Sequence, residues 1–524
     1  MSAAATVHPA ALRANPFVDI APFHRAIILT YFVLWQFMPT TVVLLRTQSS
    51  SSFVLGLTLL TEAMTLLLFA APFLIRKIGP MPMGWLNPLA LASILGVVGN
   101  FIRQPLHIVD PFLVWFGEPV RLQHRLLTYY DLESIQWVNL TAISMTMLGA
   151  LVYFLVFWII KLPQPTKREK TAEDLPEVPD IFFLAIFGML FAGFLGLLVW
   201  SGGLAQHLAA LSLGRFSMRE QGIGPLLVMV DFMPILLIIW YLSKPAVFRN
   251  PLFWIFLVLS LVSQFLADGS RSATIIPVVI LTAAWMYRNG LVPLRAAIVL
   301  LVAASFLLTT LGQVRSAQRD VNAETSGIFY SNLDFNEFVE TSNRQLAGRT
   351  MVSGPIAIAA RVPDERDYLY GRTYLGAVFF WVPRTFWPEK PRGVGAHVNA
   401  ILFLDLKNAD GFSGASYPAG AAAEAFWNFG WLGIILVFAA YAGYHRLLAE
   451  RLLRSPSNWQ HLIMLLIGVI IFESPNTDGF VPFIQIFVLA KVTFAAMDFF
   501  ARRQLSPPVR SVPRQRLARQ GSRL

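Results

Sequence analysis

Residues 181–200 read IFFLAIFGMLFAGFLGLLVW, twenty consecutive positions without a charged side chain. A helix needs roughly 20 apolar residues to cross a hydrocarbon core about 30 Å thick, and a helix satisfies its own backbone groups there. The stretch predicts a transmembrane helix. Comparable runs lie on both sides of it. They place spans at about 26–45, 53–75, 85–102, 135–160, 181–200, 223–242, 251–267, 272–287, 296–313, 419–444, 459–474 and 480–500. The expected fold is an all-α polytopic membrane bundle of about twelve spans, with 85–102, 272–287 and 459–474 short for the task.

Composition points the same way. Of 524 residues, 56% are hydrophobic and 14% charged, whereas soluble domains carry roughly 25% charged residues. There are no cysteines, which excludes disulfides, thiolate nucleophiles and thiolate metal sites. The first apolar run follows Arg13, His24 and Arg25. It has no small-residue cleavage site and exceeds a signal-peptide core, so it reads as a retained span.

The formal charge of +11 does not call for nucleic acid. Cytoplasmic loops of membrane proteins collect Lys and Arg, and that bias also sets orientation. With the N-terminus inside, the inner segments hold 22 Lys and Arg, seven of them in the tail from Arg502, against seven in the short outer loops. Both termini are then expected in the cytoplasm, and the tail is expected to lie against anionic lipid heads.

One segment breaks the run of spans. Residues 315–418 carry eleven basic and eleven acidic side chains and include Val382-Pro383-Arg384-Thr385-Phe386-Trp387-Pro388-Glu389-Lys390-Pro391. Loops longer than about 12–15 residues are usually functional or disordered, and this one is rich in aromatics and Gly-Pro turns. The expected organisation is a first bundle part over 1–314, a large extracytoplasmic loop with short helices over 315–418, the last spans over 419–500, and a basic tail over 501–524. Tyr374–Val382 is apolar but too short to span, and reads as re-entrant or interfacial.

The chain has no Walker loop, no Rossmann fingerprint and no zinc-spaced His pair. Outward-facing arginines stand out instead. Arg215 and Arg219 precede span six, Arg271 sits in a turn between two spans, Arg315 and Arg319 leave span nine, and Arg384 lies in the Pro-Arg-x-x-Trp-Pro run. Guanidinium grips phosphate as a bidentate fork and is less costly to bury than ammonium. The plainer alternative is interfacial snorkelling or ion pairing. Carboxylates expected at the same level are Asp268, Glu389, Glu424, Glu473 and Asp478. Glu424 and Asn428 are four apart, hence on one helix face, in a run of small residues that permits close approach. Glu424 suits either a base or a partner for arginine. His397 could be surface or a general base near neutral pH. Glu62, Asp231 and Lys491 fall within spans, where ionisable groups are functional candidates or structural pairs.

Three local features resemble the Wzy-type polymerases of lipid-linked oligosaccharide repeat units. They are Gly269-Ser270-Arg271-Ser272 opening a span, Pro383-Arg384-x-x-Trp387-Pro388-x-Lys390-Pro391 in the large loop, and Ser416-x-Pro418 followed by Glu424, Asn428-Phe429-Gly430 and Gly433. The resemblance covers about residues 200–500. It implies a GT-C-like bundle with a cavity at the outer face, and donor and acceptor repeat units on undecaprenyl pyrophosphate. It implies no nucleotide sugar, metal or other cofactor. Expected partners are these lipid-linked oligosaccharides, membrane lipids, a chain-length regulator and a flippase.

In that chemistry the acceptor hydroxyl attacks the donor anomeric carbon and lipid pyrophosphate leaves. Arg215, Arg271, Arg315 and Arg384 are then expected on phosphate. Glu424, His397 or Glu389 is expected as the base, and Trp387, Trp427 and Asn428 on sugar, with Trp381 a further stacking candidate. The alternatives are an O-antigen ligase or other lipid-linked-sugar GT-C transferase, which shares the donor, and a polysaccharide-lipid transporter or flippase, for which paired broken helices in two related halves would be expected.

Overall fold

The computed structural model describes residues 15–38, 41, 52–96, 132–161, 178–204, 206–207, 224–268, 271–293, 354–382, 386–402 and 418–505. Within them the chain forms α1 (Pro22–Tyr31), α2 (Ser52–Leu74), a two-residue hairpin of β1 (Lys77–Ile78) and β2 (Met81–Pro82), α3 (Pro88–Gly96), α4 (Leu132–Ile159), α5 (Asp180–Trp200), α6 (Gly224–Ser243), α7 (Pro251–Asp268) and α8 (Arg271–Asn289). There follow three short helices, α9 (Gly354–Arg361), α10 (Arg372–Val378) and α11 (Val394–Leu402), then α12 (Ala421–Arg454), α13 (Trp459–Leu466) and α14 (Thr477–Leu505).

Six of these helices are long and apolar enough to cross a membrane: the stretches at 52–74, 136–159, 180–200, 224–243, 421–454 and 477–502. Shorter apolar helices occupy Pro22–Leu34, Pro251–Ala267, Ile275–Asn289 and Trp459–Ile471. The expected span 85–102 is described as helix only over Pro88–Gly96, and the expected span 296–313 lies outside the described residues. Helix α7 ends at Asp268 and α8 opens at Arg271.

Large apolar side chains face outward along several helices: Leu60 and Leu67 on α2, Met189 and Val199 on α5, Ile255 and Val258 on α7, Val488 and Val492 on α14. Soluble monomers rarely expose such continuous apolar surface, whereas lipid tails cover it at no cost. Pro72, Pro234, Pro277 and Pro482 sit inside helices, a placement that membrane bundles tolerate because neighbours re-satisfy the freed carbonyls.

Two packing centres organise the bundle. In one, α6 is enclosed on most of its surface and packs on α5, α7, α8 and α14, with the buried run Phe232–Leu242 as its core. In the other, α4 lies along both α12 and α2. The short helices of the large insert seat on this second centre: α9 contacts α4 and α12, α11 contacts α9 and α14, and α10 contacts α14. The described part of the insert is therefore folded onto the end of the bundle from which α12 and α14 start.

Candidate functional site

The first eight residues of α12 are a separate helical segment. Phe429 (φ −144°, ψ 20°) and Gly430 (φ 63°, ψ −155°) break the helix before it resumes toward Arg454. Only glycine adopts the Gly430 conformation without strain. A break inside a membrane helix frees carbonyls that must find other donors. The loop before α10 supplies one, since Leu369 N donates to Trp427 O at 2.8 Å. Trp427 Nε1 in turn donates to Asp367 O at 3.2 Å. The loop is thus sewn onto the break.

The broken segment carries the buried polar groups. Glu424 has no exposed surface. Its Oε1 accepts from the Thr477 hydroxyl at 2.7 Å and its Oε2 from the Thr477 backbone N–H at 2.9 Å. Thr477 opens α14, so the carboxylate caps a helix N-terminus, where the helix dipole favours negative charge. One turn on, Asn428 Nδ2 donates to Thr373 Oγ1 and to Glu424 O, each at 2.9 Å. Thr373, from α10, is also fully buried. Three elements distant in sequence are tied together at this point. Burying a charge is costly unless hydrogen bonds meet it, and these bonds hold the arrangement.

Two groups in the same cluster are left open. Asn428 Oδ1 and the Tyr374 hydroxyl are buried and have no hydrogen-bond partner among the described residues. Burial pushes the Tyr374 hydroxyl up, and the nearby Glu424 carboxylate pushes it further, so it remains a proton donor. The Tyr374 and Phe429 rings stack 6.3 Å apart and nearly parallel.

His397, on α11, stands edge-on to the Trp427 ring with centroids 5.9 Å apart. Burial holds its pKa down at about 4, and the positive charges of Arg392 and Arg372 lower it as well. The imidazole is therefore neutral near pH 7 and can take a proton, while two guanidinium groups stand close enough to act on it. Arg372 opens α10 and Arg392 lies two residues before the start of α11. The start of α11 also packs tightly on α14: a Cβ at Gly393 would meet Asp478 Oδ1 at 2.8 Å.

Around this cluster the insert exposes apolar side chains. Tyr370, Leu375, Val378, Phe379, Trp381 and Phe386 are all exposed, Phe386 at 83%. Amphipathic aromatic belts of this kind sit at membrane interfaces.

No protein-family model, curated protein or solved structure matches this chain. What the cluster can do is therefore judged from its own chemistry. It offers a neutral imidazole, two cations and two unpartnered buried polar atoms.

Of the residues singled out by sequence, Glu424, Asn428, Trp427 and His397 come together. The Glu424 carboxyl group rests on Thr477, and no ion pair with an arginine reaches it among the described residues. Trp427 is enclosed at 3% exposure, packed on His397. Trp387 packs on Phe379 at 6.1 Å, in the aromatic rim. Glu389 is exposed in the Phe386–Lys390 turn, which Lys390 secures by donating from Nζ to the carbonyls of Phe380 and Val382 at 2.9 and 3.1 Å. Arg215, Arg315 and Arg384 lie outside the described residues, as does the side chain of Arg271. Of the intramembrane charges, Glu62 is buried in α2, Asp231 accepts from Gln264 Nε2 at 3.1 Å, and Lys491 lies over Phe487.

Sequence reasoning missed Thr373, Tyr374, Thr477, Arg372 and Arg392. Some signal existed. Arg372 and Arg392 follow Gly371 and Pro391 at helix starts, and Asn476-Thr477-Asp478 is a polar cap before an apolar run.

Proposed function

We propose that this chain is a polysaccharide polymerase of the Wzy type, joining undecaprenyl-pyrophosphate-linked oligosaccharide repeat units at the outer face of a bacterial plasma membrane. The observation that carries the reading is His397: a neutral, half-buried imidazole flanked by Arg372 and Arg392 beside the lock formed by Glu424, Thr477, Asn428 and Thr373. Glycosyl transfer from a lipid pyrophosphate needs a base for the acceptor hydroxyl and positive charge for the leaving group. Both kinds of group stand together here.

In this reading the acceptor hydroxyl passes its proton to a ring nitrogen of His397 as its oxygen bonds to the donor anomeric carbon. The bond from that carbon to the pyrophosphate oxygen breaks, and undecaprenyl pyrophosphate leaves with the electron pair. Arg372 and Arg392 stabilise the charge that grows on the leaving group, together with Arg215, Arg271, Arg315 and Arg384. Asn428 Oδ1 and the Tyr374 hydroxyl bind sugar hydroxyls. Glu424 is a positioning residue, since it fixes α12 to α14. The aromatic rim from Tyr370 to Phe386 receives the isoprenoid chains or the lipid interface. A chain-length regulator and a flippase are the partner proteins this role requires.

The test is incubation of purified protein with a defined undecaprenyl-pyrophosphate-linked repeat unit, followed by separation of products by length. A ladder is expected from wild type, and none from Arg372→Gln/Arg392→Gln at equal folded yield. Transfer of preformed polymer to a different acceptor would replace this reading with a ligase. Movement of lipid-linked sugar across vesicles without bond formation would replace it with a flippase.

A further inference from the structure

At the opposite end of the bundle, where α12 ends and α13 begins, a groove of about 290 Å³ is lined by Arg451, Asn458, Gln460, His461, Phe487 and Lys491, with Leu448 and Met464 at its base. No acidic residue lines it. Arg451 and Lys491 lie close enough for their positive charges to oppose each other. Glu450, adjacent to Arg451 in sequence, is already engaged by Arg446 at 2.8 Å and Arg454 at 2.9 Å. Neither Arg451 nor Lys491 has a carboxylate partner among the described residues. Both side chains are exposed and water screens them in part, but an anion seated between them would remove the repulsion and meet both charges at once.

One hydrogen-bond donor in the groove agrees with this. Gln460 Nε2 is buried and has no hydrogen-bond partner among the described residues. Asn458 caps α13 by accepting from Gln460 N at 3.0 Å. His461 Nδ1 is tied to Arg451 O at 3.1 Å, which turns its other ring nitrogen away from that bond. The remaining rim decides what kind of anion fits. Lys491 is exposed on α14 between Val488 and Val492, both more than half exposed on the apolar surface. A soluble anion would gain nothing from that surface, whereas acyl chains would lie along it.

We propose that this groove binds the phosphodiester headgroup of an anionic phospholipid, with Arg451 and Lys491 on the phosphate, Gln460 donating to it, and the acyl chains along Val488 and Val492. Basic pockets between membrane helices hold anionic headgroups in this way. The proposal does not depend on the enzymatic reading of the other end.

The experiment uses purified full-length protein and three probes: phosphatidylglycerol, phosphatidylcholine and inorganic phosphate. Native mass spectrometry reads the bound lipid, and thermal melting reads stabilisation. Wild type should retain phosphatidylglycerol in preference to phosphatidylcholine and melt higher in its presence. Arg451→Gln/Lys491→Gln should retain it about thirtyfold less, the loss expected from two basic groups at an anionic headgroup. Equal retention of the two lipids by wild type would overturn the proposal. So would unchanged retention in the variant, or inorganic phosphate stabilising the protein as well as the lipid does. If the glutamine variant does not fold, Arg451→Lys/Lys491→Arg must keep the preference, and its failure to do so counts against the proposal.

Discussion

Helix α12 carries two buried polar centres, and they are built in opposite ways. Toward Arg454 the helix is regular. There the Tyr153 hydroxyl and His445 Nδ1 are bonded at 2.7 Å, and His445 Nε2 is bonded to Gly468 O at 3.0 Å, so both ring nitrogens are used inside the protein. Arg446 is held by Glu450 and lies over the Phe157 ring at 5.4 Å. In this centre the Tyr444 hydroxyl is buried without a hydrogen-bond partner among the described residues. Toward Gly420 the helix is broken, and Asn428 Oδ1 and the Tyr374 hydroxyl are left open beside His397 and two arginines. A closed network fastens helices to one another. An open one, placed where the chain departs from regular structure, holds groups ready for something else.

The two histidines offer the sharpest way to break this contrast. His397→Gln should lower polymer formation about 10²–10⁴-fold, the usual contribution of a positioned base, with little change in melting. His445→Gln should do the reverse: it disturbs two buried hydrogen bonds and destabilises by roughly 1–3 kcal/mol, with activity per folded molecule retained. If the two variants behaved alike in both assays, the distinction between an open and a closed centre would not hold.

Thr477→Val comes next in size. It removes the hydroxyl donor from a buried carboxyl group while keeping side-chain shape, at a cost of about 1–3 kcal/mol for a buried polar group left short of a partner. Denaturant unfolding in detergent would measure it, and a cost near zero would mean that the Thr477 hydroxyl contributes nothing to holding α12 to α14 and that any hold rests on the backbone N–H bond.

A smaller effect depends on pH. His397 has its folded pKa depressed from an ordinary 6.5 to about 4. As pH falls through that interval the unfolded chain binds the proton first, so stability declines between about 6.5 and 4 and is fully present above it. Wild-type melting temperature should fall more steeply over that range than that of His397→Gln.

Tyr374→Phe should have the smallest effect on stability. Removing a buried hydroxyl that has no partner costs nothing and can stabilise. Product yield should nevertheless drop if that hydroxyl meets substrate, so a clear loss of stability would place a hidden partner on it.

Much of the architecture was legible because it depends on local properties. Apolar length alone placed helices at 53–75, 181–200 and 223–242, against Ser52–Leu74, Asp180–Trp200 and Gly224–Ser243 in the structure. The four-residue spacing put Asn428 over Glu424, and Asn428 does donate to the Glu424 carbonyl. The break at Phe429-Gly430 was not legible. A glycine in a run of small residues reads equally well as a close helix contact, and nothing local marks its φ as positive.

By itself, then, the sequence determined that the chain forms apolar helices of membrane-crossing length and which polar residues interrupt them, because hydrophobic length and helical period are set within a few turns. Only the tertiary structure decided that Thr373, Glu424 and Thr477 share one buried site, that Arg372 and Arg392 stand beside His397, and that Trp427 is enclosed. The bonds from Asn428 to Thr373 and from Thr477 to Glu424 join residues about fifty positions apart, and no local periodicity encodes which helix ends pack together.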